Sequence, residues 1–264
     1  MADPILKRED AASVARLTLN NPGTLNALSD EMLAALQAEI DALAGDSKIR
    51  AVVIAGAGKA FCAGHDLKQM TAGRAATDKG RAYFKDLFGR CTRVMLGLQR
   101  LPQPVIAEVH GIATAAGCQL VATCDMAVAA QGTRFGVNGV NIGLFCSTPM
   151  VALTRNIPRK QAFEMLTTGD FIPAERAADL GLVNHVVAPG ALTDETMALA
   201  AKVASKLGSA VKVGKSAFYD QLSLSTEEAY AQTGAAMVEN MLFRDTEEGI
   251  QAFIEKREPD WAQS

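Results

Sequence analysis

The sequence predicts a protein of the α/β class, in which parallel strands alternate with crossover helices. Short apolar segments, such as residues 51–55 and 105–109, are each followed by a glycine-containing turn and then by a helical pattern. This order recurs as far as about residue 187 and is typical of a parallel sheet covered by helices. The chain has 264 residues, of which 49% are hydrophobic and 21% charged, so it is long enough to bury one large core.

The individual elements follow from local patterns. Residues 14–20 alternate apolar and polar side chains, which predicts a strand. Ser29 is suited to cap a helix. The apolar face of that helix consists of Met32, Leu33, Leu36, Ile40 and Leu43. The pattern of residues 85–101 predicts another helix. The small and polar residues 71–80 predict a mobile loop. Further strands are predicted at residues 51–55, 105–109, 125–129 and 181–187.

Strand signals stop after residue 191, and helical patterns follow. Four helices are predicted at about residues 192–207, 210–222, 226–243 and 246–256. Ser225 and Glu228 have the spacing of a capping box at the start of the third. We therefore expect residues 1–191 to form an α/β core and residues 192–264 to form a helical oligomerisation region.

Two turns carry the main functional signal. Phe61-Cys-Ala-Gly-His-Asp66 and Gly111-Ile-Ala-Thr-Ala-Ala-Gly-Cys-Gln-Leu120 each follow an apolar strand and open a helix. Backbone N–H groups at the start of a helix have no partner within it and attract negative charge. Two such turns that converge on one carbonyl oxygen would form an oxyanion hole. The alternative is that both turns merely connect a strand to a helix.

Several motifs, in this order along the chain, resemble the crotonase (enoyl-CoA hydratase/isomerase) superfamily. They are Leu25-Asn-Ala-Leu28, the two turns above, Cys124-Asp-Met126, Phe135-Gly136, Gly181-Leu-Val183 and residues 248–257. The resemblance implies a crotonase-type ββα spiral core with a helical C-terminal trimerisation region, assembled as a homotrimer or a dimer of trimers. It also implies a coenzyme A thioester as substrate, no permanently bound cofactor, and oxyanion-hole donors at the backbone N–H groups of His65 and Ala116.

The chain departs from the superfamily at two carboxylates. Hydratases of the family carry one glutamate after the second turn and another after the Phe-Gly motif, where Gln119 and Gly139 stand here. Glutamine does not take a proton from water, and glycine has no polar side chain. Since each general acid or base contributes about 10²–10⁴ in rate, ordinary hydration is expected to be weak. The pattern resembles the divergent enoyl-CoA hydratase domain-containing branch of the superfamily.

Three other side chains are candidates to replace the carboxylates. Ser147 lies where some isomerases of the family place an aspartate, but capping the following helix explains it better. His65 has a titratable side chain within the oxyanion turn. Cys146 has no readable His or Asp partner, which favours a buried, inert thiol. Structural roles are expected for Asp66, His110, Asp125 and His185, whereas Asn138 and Asn141 either bind polar groups of the substrate or shape a loop.

The resemblance also implies a cradle for coenzyme A. It consists of Ala27, Leu28, Cys62, Ala63, Gly64, Lys68, Phe253 and Lys256. Three functions stay open. The first is an enoyl-CoA hydratase with weak hydration, and the second is another crotonase-fold reaction such as isomerisation, thioester hydrolysis or decarboxylation. The third is a non-catalytic acyl-CoA binder. An enzyme of this family would belong to the lyases or isomerases.

The composition of the chain argues against some classes of binding partner and predicts a cellular compartment. The net charge of −3 argues against a nucleic-acid partner. No apolar run approaches the roughly 20 residues that span a bilayer, so no membrane partner is expected. The five cysteines have no metal-site spacing, which predicts reduced thiols and no metal. The first ten residues lack the apolar stretch of a secretory signal, so the sequence predicts a cytoplasmic protein.

Overall fold

The computed structural model describes residues 3–261, so the outer ends of the two expected regions lie outside the described residues. The strands are Leu6–Ala11 (β1), Val14–Leu19 (β2), Ala51–Gly56 (β3), Val105–Val109 (β4), Ile112–Thr114 (β5), Met126–Ala130 (β6), Arg134–Gly136 (β7), Ile172–Pro173 (β8) and His185–Val187 (β9). The helices are Asp30–Ala44 (α1), Leu67–Gly73 (α2), Arg81–Arg100 (α3), Ala116–Thr123 (α4), Ser147–Leu153 (α5), Arg159–Thr168 (α6), Ala174–Leu180 (α7), Leu192–Ala204 (α8), Gly208–Gln221 (α9), Thr226–Met241 (α10) and Arg244–Glu255 (α11).

A six-stranded sheet organises the core. Its order is β1-β2-β3-β4-β6-β9, in which β1 is antiparallel to β2 and the remaining pairs are parallel. The short strands β5, β7 and β8 form a second sheet. The α/β class and the parallel pairing predicted from the sequence are therefore confirmed.

Alternate residues of a strand point to opposite faces of a sheet, and both faces of this one are covered. On one face, Val52 and Ile54 of β3 join the main core with the buried stripe of α1. On the other face, Ala51 and Val53 of β3 belong to a smaller cluster that Leu192, Ala200 and Ala204 of α8 cover. Parallel strands buried on both sides explain the continuous apolar runs in the sequence.

The C-terminal helices differ in how far they are buried. Helix α8 packs on the sheet, whereas four large apolar side chains on or beside α10 and α11 are at least 70% exposed. These are Tyr230, Met237, Leu242 and Phe253. The expected division between residues 191 and 192 stays a prediction. None of the helices within residues 3–261 combines the length and apolarity needed to cross a membrane.

Within residues 3–261, side-chain caps account for the starts of three helices, α1, α2 and α10. The Ser29 hydroxyl accepts a hydrogen bond from Met32 N at 3.2 Å, and Ser225 and Glu228 form the expected capping box. Asp66 caps α2 by accepting hydrogen bonds from Lys68 N and Gln69 N, so α2 extends into the segment expected to be a loop. The helix after Pro173 and the two- and three-residue strands of the second sheet had no clear pattern, because such short elements depend on their neighbours for stability.

Candidate active site

A cavity of about 310 Å³ lies between the β5–α4 turn, the start of α5 and the 3₁₀ helix Asn138–Ile142. Its wall is largely apolar, with contributions from Leu67, Met70, Phe88, Leu144 and Phe145. The polar side chains on the wall are those of His65, Thr114, Asn138, Ser147 and Thr148. Among the described residues, no aspartate or glutamate lines this cavity.

The two sequence turns converge on this cavity. Thr114 N donates to Cys62 O at 3.0 Å and joins the two turns. Gly64 has a φ of +88°, and an ideal Cβ added there would lie 3.2 Å from Ala116 N, so this close approach requires glycine. Within residues 3–261, the backbone N–H groups of His65 and Ala116 have no hydrogen-bond acceptor. Both residues line the cavity, which leaves two neighbouring donors for a ligand oxygen.

The second turn is strained immediately before its donor. Ala115 has φ 50° and ψ −119°, a region that side-chain-bearing residues rarely adopt. Ala116 is the first residue of α4 and has no positive φ. The backbone conformation of Ala116 therefore accommodates the methyl side chain of alanine. The backbone strain of the turn lies at Ala115 instead. The positive end of α4 adds to the attraction for negative charge at this point.

His65, which lines the cavity, has a buried hydrogen-bond acceptor on its ring. Its ring Nδ1 is 3.4 Å from Leu28 O, and a carbonyl oxygen only accepts, so Nδ1 carries the proton of the neutral ring. Nε2 is buried and has no partner in the described part of the chain. Burial lowers the pKa of His65 below its usual value, and the positive charge of Arg90 adds to this effect, although Leu28 O and Asp30 oppose it. The ring also contacts Phe88, with centroids 5.6 Å apart.

The two positions of the expected carboxylates differ in their surroundings. Gly139 lines the cavity, but an ideal Cβ there would collide with Leu144 O and lie 2.8 Å from Cys146 Sγ. Gln119 is 6% exposed, its Oε1 has no partner among residues 3–261, and it does not line the cavity. The structure therefore brings Gly139, but not Gln119, to the wall beside His65 and Ala116.

Ser147 and Cys146 lie at the start of α5. The expectation that Ser147 caps this helix is wrong, since Cys146 is the N-cap residue and Ser147 is the first helical residue. The Ser147 hydroxyl donates weakly to Phe145 O at 3.4 Å and forms no hydrogen bond with an acid or base within residues 3–261. Burial raises the pKa of the Cys146 thiol, which disfavours the reactive thiolate.

Two of the residues expected to be structural, Asp125 and His110, form hydrogen bonds within the fold. Asp125 accepts hydrogen bonds from Val105 N, Lys215 Nζ and Tyr219 Oη at 2.6–2.7 Å. His110 Nε2 is 2.8 Å from Gly58 O, and the His185 side chain is exposed on β9. These contacts confirm the expected structural role of Asp125.

The residues expected to hold coenzyme A fall into two groups. Leu28 N donates to Gly64 O at 2.7 Å, which joins the Ala27–Leu28 loop to the turn that contains Cys62 and Ala63. Of these residues, Ala63 lines the cavity. Lys68, Phe253 and Lys256 are exposed and are not part of its wall. The structure thus joins the loop and the turn but leaves the three exposed residues apart.

One pair on the wall had no clear signal in the sequence. Thr114 Oγ1 donates a hydrogen bond to Asn138 Oδ1 at 2.6 Å. The sequence singled out Asn138 only as an alternative, and it gave no reason to consider Thr114. The two residues are 24 positions apart, so no local pattern connects them.

Comparison with known proteins gives a consistent result. The sequence model described as enoyl-CoA hydratase/isomerase matches residues 9–264. A human protein named "Enoyl-CoA hydratase domain-containing protein 3, mitochondrial" is 46% identical over 249 residues, which cover 94% of this chain and 80% of that protein. The short-chain-enoyl-CoA hydratase of Clostridium acetobutylicum is 34% identical over 258 residues, which cover 96% of this chain and 95% of that enzyme.

Solved structures show the same likeness. The crystal structure of an enoyl-CoA hydratase from Mycobacterium smegmatis matches with a TM-score of 0.94 and 56% identity, covering 98% of this chain and 99% of that one. That of human enoyl-CoA hydratase domain-containing protein 3 matches with a TM-score of 0.92 and 44% identity, covering 97% and 100%. These matches confirm the expected crotonase-type fold.

The comparison contradicts the expected cytoplasmic location. The human relative and its counterparts from Xenopus laevis and Danio rerio are all named as mitochondrial proteins. They point to the mitochondrion rather than the cytoplasm. The expectation rested on the lack of a readable leader, and such a lack carries no information about the compartment.

Proposed function

Because the chain belongs to the enoyl-CoA hydratase/isomerase family, we propose that it binds an acyl thioester of coenzyme A and stabilises the enolate of that thioester. The thioester is the substrate, and no permanently bound cofactor is needed. The observation that carries this proposal is the pair of unpartnered N–H groups of His65 and Ala116 at the wall of a largely apolar cavity. An apolar wall suits an acyl chain, and the two N–H groups suit its carbonyl oxygen.

The N–H groups would act on the charge that develops during reaction. When a proton leaves Cα of the acyl group, the electron pair moves into the C–Cα bond and negative charge appears on the thioester oxygen. Donors fixed at that oxygen lower the barrier, and loss of one donor typically costs about 10²–10³ in rate. The start of α4 adds a favourable dipole at the same place.

His65 is the best candidate for the proton acceptor. Its Nε2 carries a lone pair in the neutral ring, and its lowered pKa favours the neutral ring near pH 7. Because Nε2 is buried and not open to the cavity, the ring must turn about its side-chain bonds to bring Nε2 to Cα. No carboxylate is present on the described wall to position water, so hydration is expected to be weak compared with proton exchange at Cα. With an enoyl thioester, removal of a proton gives a dienolate that extends from Cα to Cγ, and return of the proton to the other of these two carbons moves the double bond, which is isomerisation.

The test separates enolate formation from hydration. Exchange of the Cα protons of butyryl-CoA in D₂O is followed by mass spectrometry, and hydration of crotonyl-CoA by loss of the enoyl-thioester absorbance at high protein concentration. Exchange that is much faster than hydration supports the proposal. Binding without exchange or hydration would overturn the catalytic part, and lack of acyl-CoA binding would overturn all of it.

A non-catalytic acyl-CoA binder is the second candidate function. It is favoured by the crowding at Gly139, where Leu144 O and Cys146 Sγ leave no room for a catalytic side chain. In that case the protein would sequester or present the thioester, and neither exchange nor hydration would exceed the rate without protein.

We also propose that α9–α11 mediate assembly into a homotrimer or a dimer of trimers. The exposed apolar side chains of Met237, Leu242 and Phe253 support an interface there, since large exposed apolar patches usually mark contact surfaces. Light scattering of the purified protein tests the assembly. A monomer that is stable at micromolar concentration would overturn it.

A further inference from the structure

Thr114 and Asn138 form a polar pair on the cavity wall. Thr114 ends β5 directly before Ala115, is 8% exposed, and pairs with Gly136 across the second sheet. Asn138 opens the 3₁₀ helix two residues after Gly136 and is half-buried. Thr114 lies two residues before the N–H donor of Ala116, and the segment that leads to Asn138 is joined to the same turn by the hydrogen bond from Ala115 N to Gly136 O.

The distance between the two side chains fixes the orientation of the amide. Thr114 Oγ1 and Asn138 Oδ1 are 2.6 Å apart. This is ordinary for an O–H···O hydrogen bond but shorter than the roughly 2.7–3.2 Å of an N–H···O bond. Asn138 Oδ1 therefore accepts from the hydroxyl, and Nδ2 is the free end of the amide. Nδ2 has no acceptor among residues 3–261.

The wall beside Nδ2 is mostly apolar. Gly139 has no side chain, Leu144 and Phe145 are apolar, and the hydroxyl groups of Ser147 and Thr148 on the same wall form no hydrogen bond with Nδ2. A polar group on an apolar wall costs free energy when an acyl chain excludes water and leaves it without a partner. A site that hydrogen-bonds an oxygen of its ligand rejects the analogue that lacks this oxygen.

We propose that Asn138 is a specificity-determining residue, which donates a hydrogen bond from Nδ2 to an oxygen on the acyl chain. Thr114 is its positioning residue, because its hydroxyl holds Oδ1 and leaves Nδ2 free. The preferred ligands are thus acyl thioesters with a hydroxyl or oxo oxygen near the thioester group. This inference rests on the proposed function, since it needs the acyl chain in this cavity.

The test compares ligands that share coenzyme A and differ in one oxygen. Dissociation constants for butyryl-CoA, 3-hydroxybutyryl-CoA and acetoacetyl-CoA are measured by calorimetry on the full chain. The wild type is expected to bind an oxygenated thioester about fivefold more tightly than butyryl-CoA, which corresponds to one net hydrogen bond. Asn138→Leu removes the donor with little change in size, and the ratio is expected to fall to about one.

Two variants of Thr114 distinguish the effect of its hydroxyl on the Asn138 amide from the effect of its side-chain shape on packing. Thr114→Val keeps the shape but removes the hydroxyl, so the amide is free to rotate and the preference should shrink. Thr114→Ser keeps the hydroxyl and should retain the preference. A wild type without preference would overturn the role of Asn138, as would an Asn138→Leu variant that weakens all three ligands equally.

The outcomes also separate this inference from the proposed function. Binding of butyryl-CoA without any preference overturns the specificity role and leaves the acyl-CoA site standing. Failure of butyryl-CoA and both oxygenated thioesters to bind overturns the acyl-CoA site and the specificity role together.

Discussion

The backbone carbonyl of Leu144 occupies the space that a side chain at Gly139 would need. Leu144 N also donates to Gly139 O at 3.0 Å, so the turn after the 3₁₀ helix is tied directly to this glycine. Cys146 Sγ closes the remaining side, 2.8 Å from an ideal Cβ. A catalytic side chain at this position is therefore excluded by the backbone as well as missing from the sequence.

The first prediction concerns this crowding. Gly139→Ala is expected to lower the free energy of unfolding by about 1–3 kcal/mol, because one methyl group overpacks the turn. Gly89→Ala, in the middle of α3 with open space around its Cβ position, is expected to raise it by about 0.5–1 kcal/mol. Urea unfolding of both variants measures the difference. Equal effects of the two substitutions would show that position 139 is not crowded.

Restoration of a carboxylate follows the same logic. Gly139→Glu is expected to unfold the turn at residues 138–146 and not to increase crotonyl-CoA hydration. A folded Gly139→Glu variant with strong hydration would contradict the collision with Leu144 O.

The second prediction concerns the strain at Ala115. Glycine adopts φ 50° and ψ −119° without penalty, so Ala115→Gly should remove about 1–3 kcal/mol of backbone strain from the folded state. Glycine also gives the unfolded chain more conformational entropy, which lowers the free energy of unfolding by about 0.4–1 kcal/mol. We therefore expect a net gain of about 1 kcal/mol in the free energy of unfolding. Ala116→Gly is the control, since its φ is not positive and it should lose about 0.5 kcal/mol. A loss in both variants would argue against strain.

The third prediction follows from the lowered pKa of His65. Above about pH 6.5 the ring is neutral in both the folded and the unfolded chain, so it contributes no pH dependence. Below that value the unfolded chain takes up the proton first, and the free energy of unfolding falls until the lower folded-state pKa is reached. Urea unfolding between pH 5 and 8 should show this loss in the wild type and less of it in His65→Gln. Identical profiles would mean that His65 is protonated as easily in the folded chain.

Much of the fold could be predicted because its signals are local. The five apolar positions of α1 and the Ser29 cap lie within 15 consecutive residues and depend on helical geometry alone. The capping box at Ser225 likewise needs only a spacing of three residues. The predicted start of α5 is wrong by one residue, because Cys146 and not Ser147 is the N-cap residue and forms no side-chain capping hydrogen bond.

The residues of the site that could be predicted are those in recognisable turns, such as His65, Ala116, Asn138 and Ser147, all of which line the cavity. The N–H groups of His65 and Ala116 come from turns that are legible as small-residue segments. The hydrogen bond between Thr114 and Asn138 follows from the sheet register between β5 and β7, which a strand of only three residues does not reveal. The collision at Gly139 depends on how residues 139–146 fold back on themselves, and no simple sequence pattern gives that path.

The fourth prediction concerns the buried contacts of Lys215. Its ammonium group donates to Asp125, Leu98 O and Gln103 O, and Tyr219 donates to the other Asp125 oxygen. Lys215→Met should lower the free energy of unfolding by about 3–5 kcal/mol, since it leaves a buried carboxylate without its cation. Tyr219→Phe removes one hydrogen bond to a charged group and should cost about 1.5–3 kcal/mol. Thermal unfolding of both variants shows which substitution destabilises the protein more. A larger loss of stability in Tyr219→Phe than in Lys215→Met would contradict the prediction.

The last prediction tests the donor at Ala116 directly. Ala116 is the first residue of α4, where proline is common because the N–H has no partner within the helix, but a proline there adds steric strain at Ala115, whose φ is 50° and ψ −119°. Ala116→Pro removes this N–H, and Cα proton exchange of butyryl-CoA is expected to fall by about 10²–10³. Ala116→Gly keeps the N–H and should lose far less activity, so the pair distinguishes a lost donor from a changed side chain. Melting curves establish that both variants are folded. Exchange that survives in a folded Ala116→Pro variant would contradict the proposed role of Ala116 as an oxyanion-hole donor.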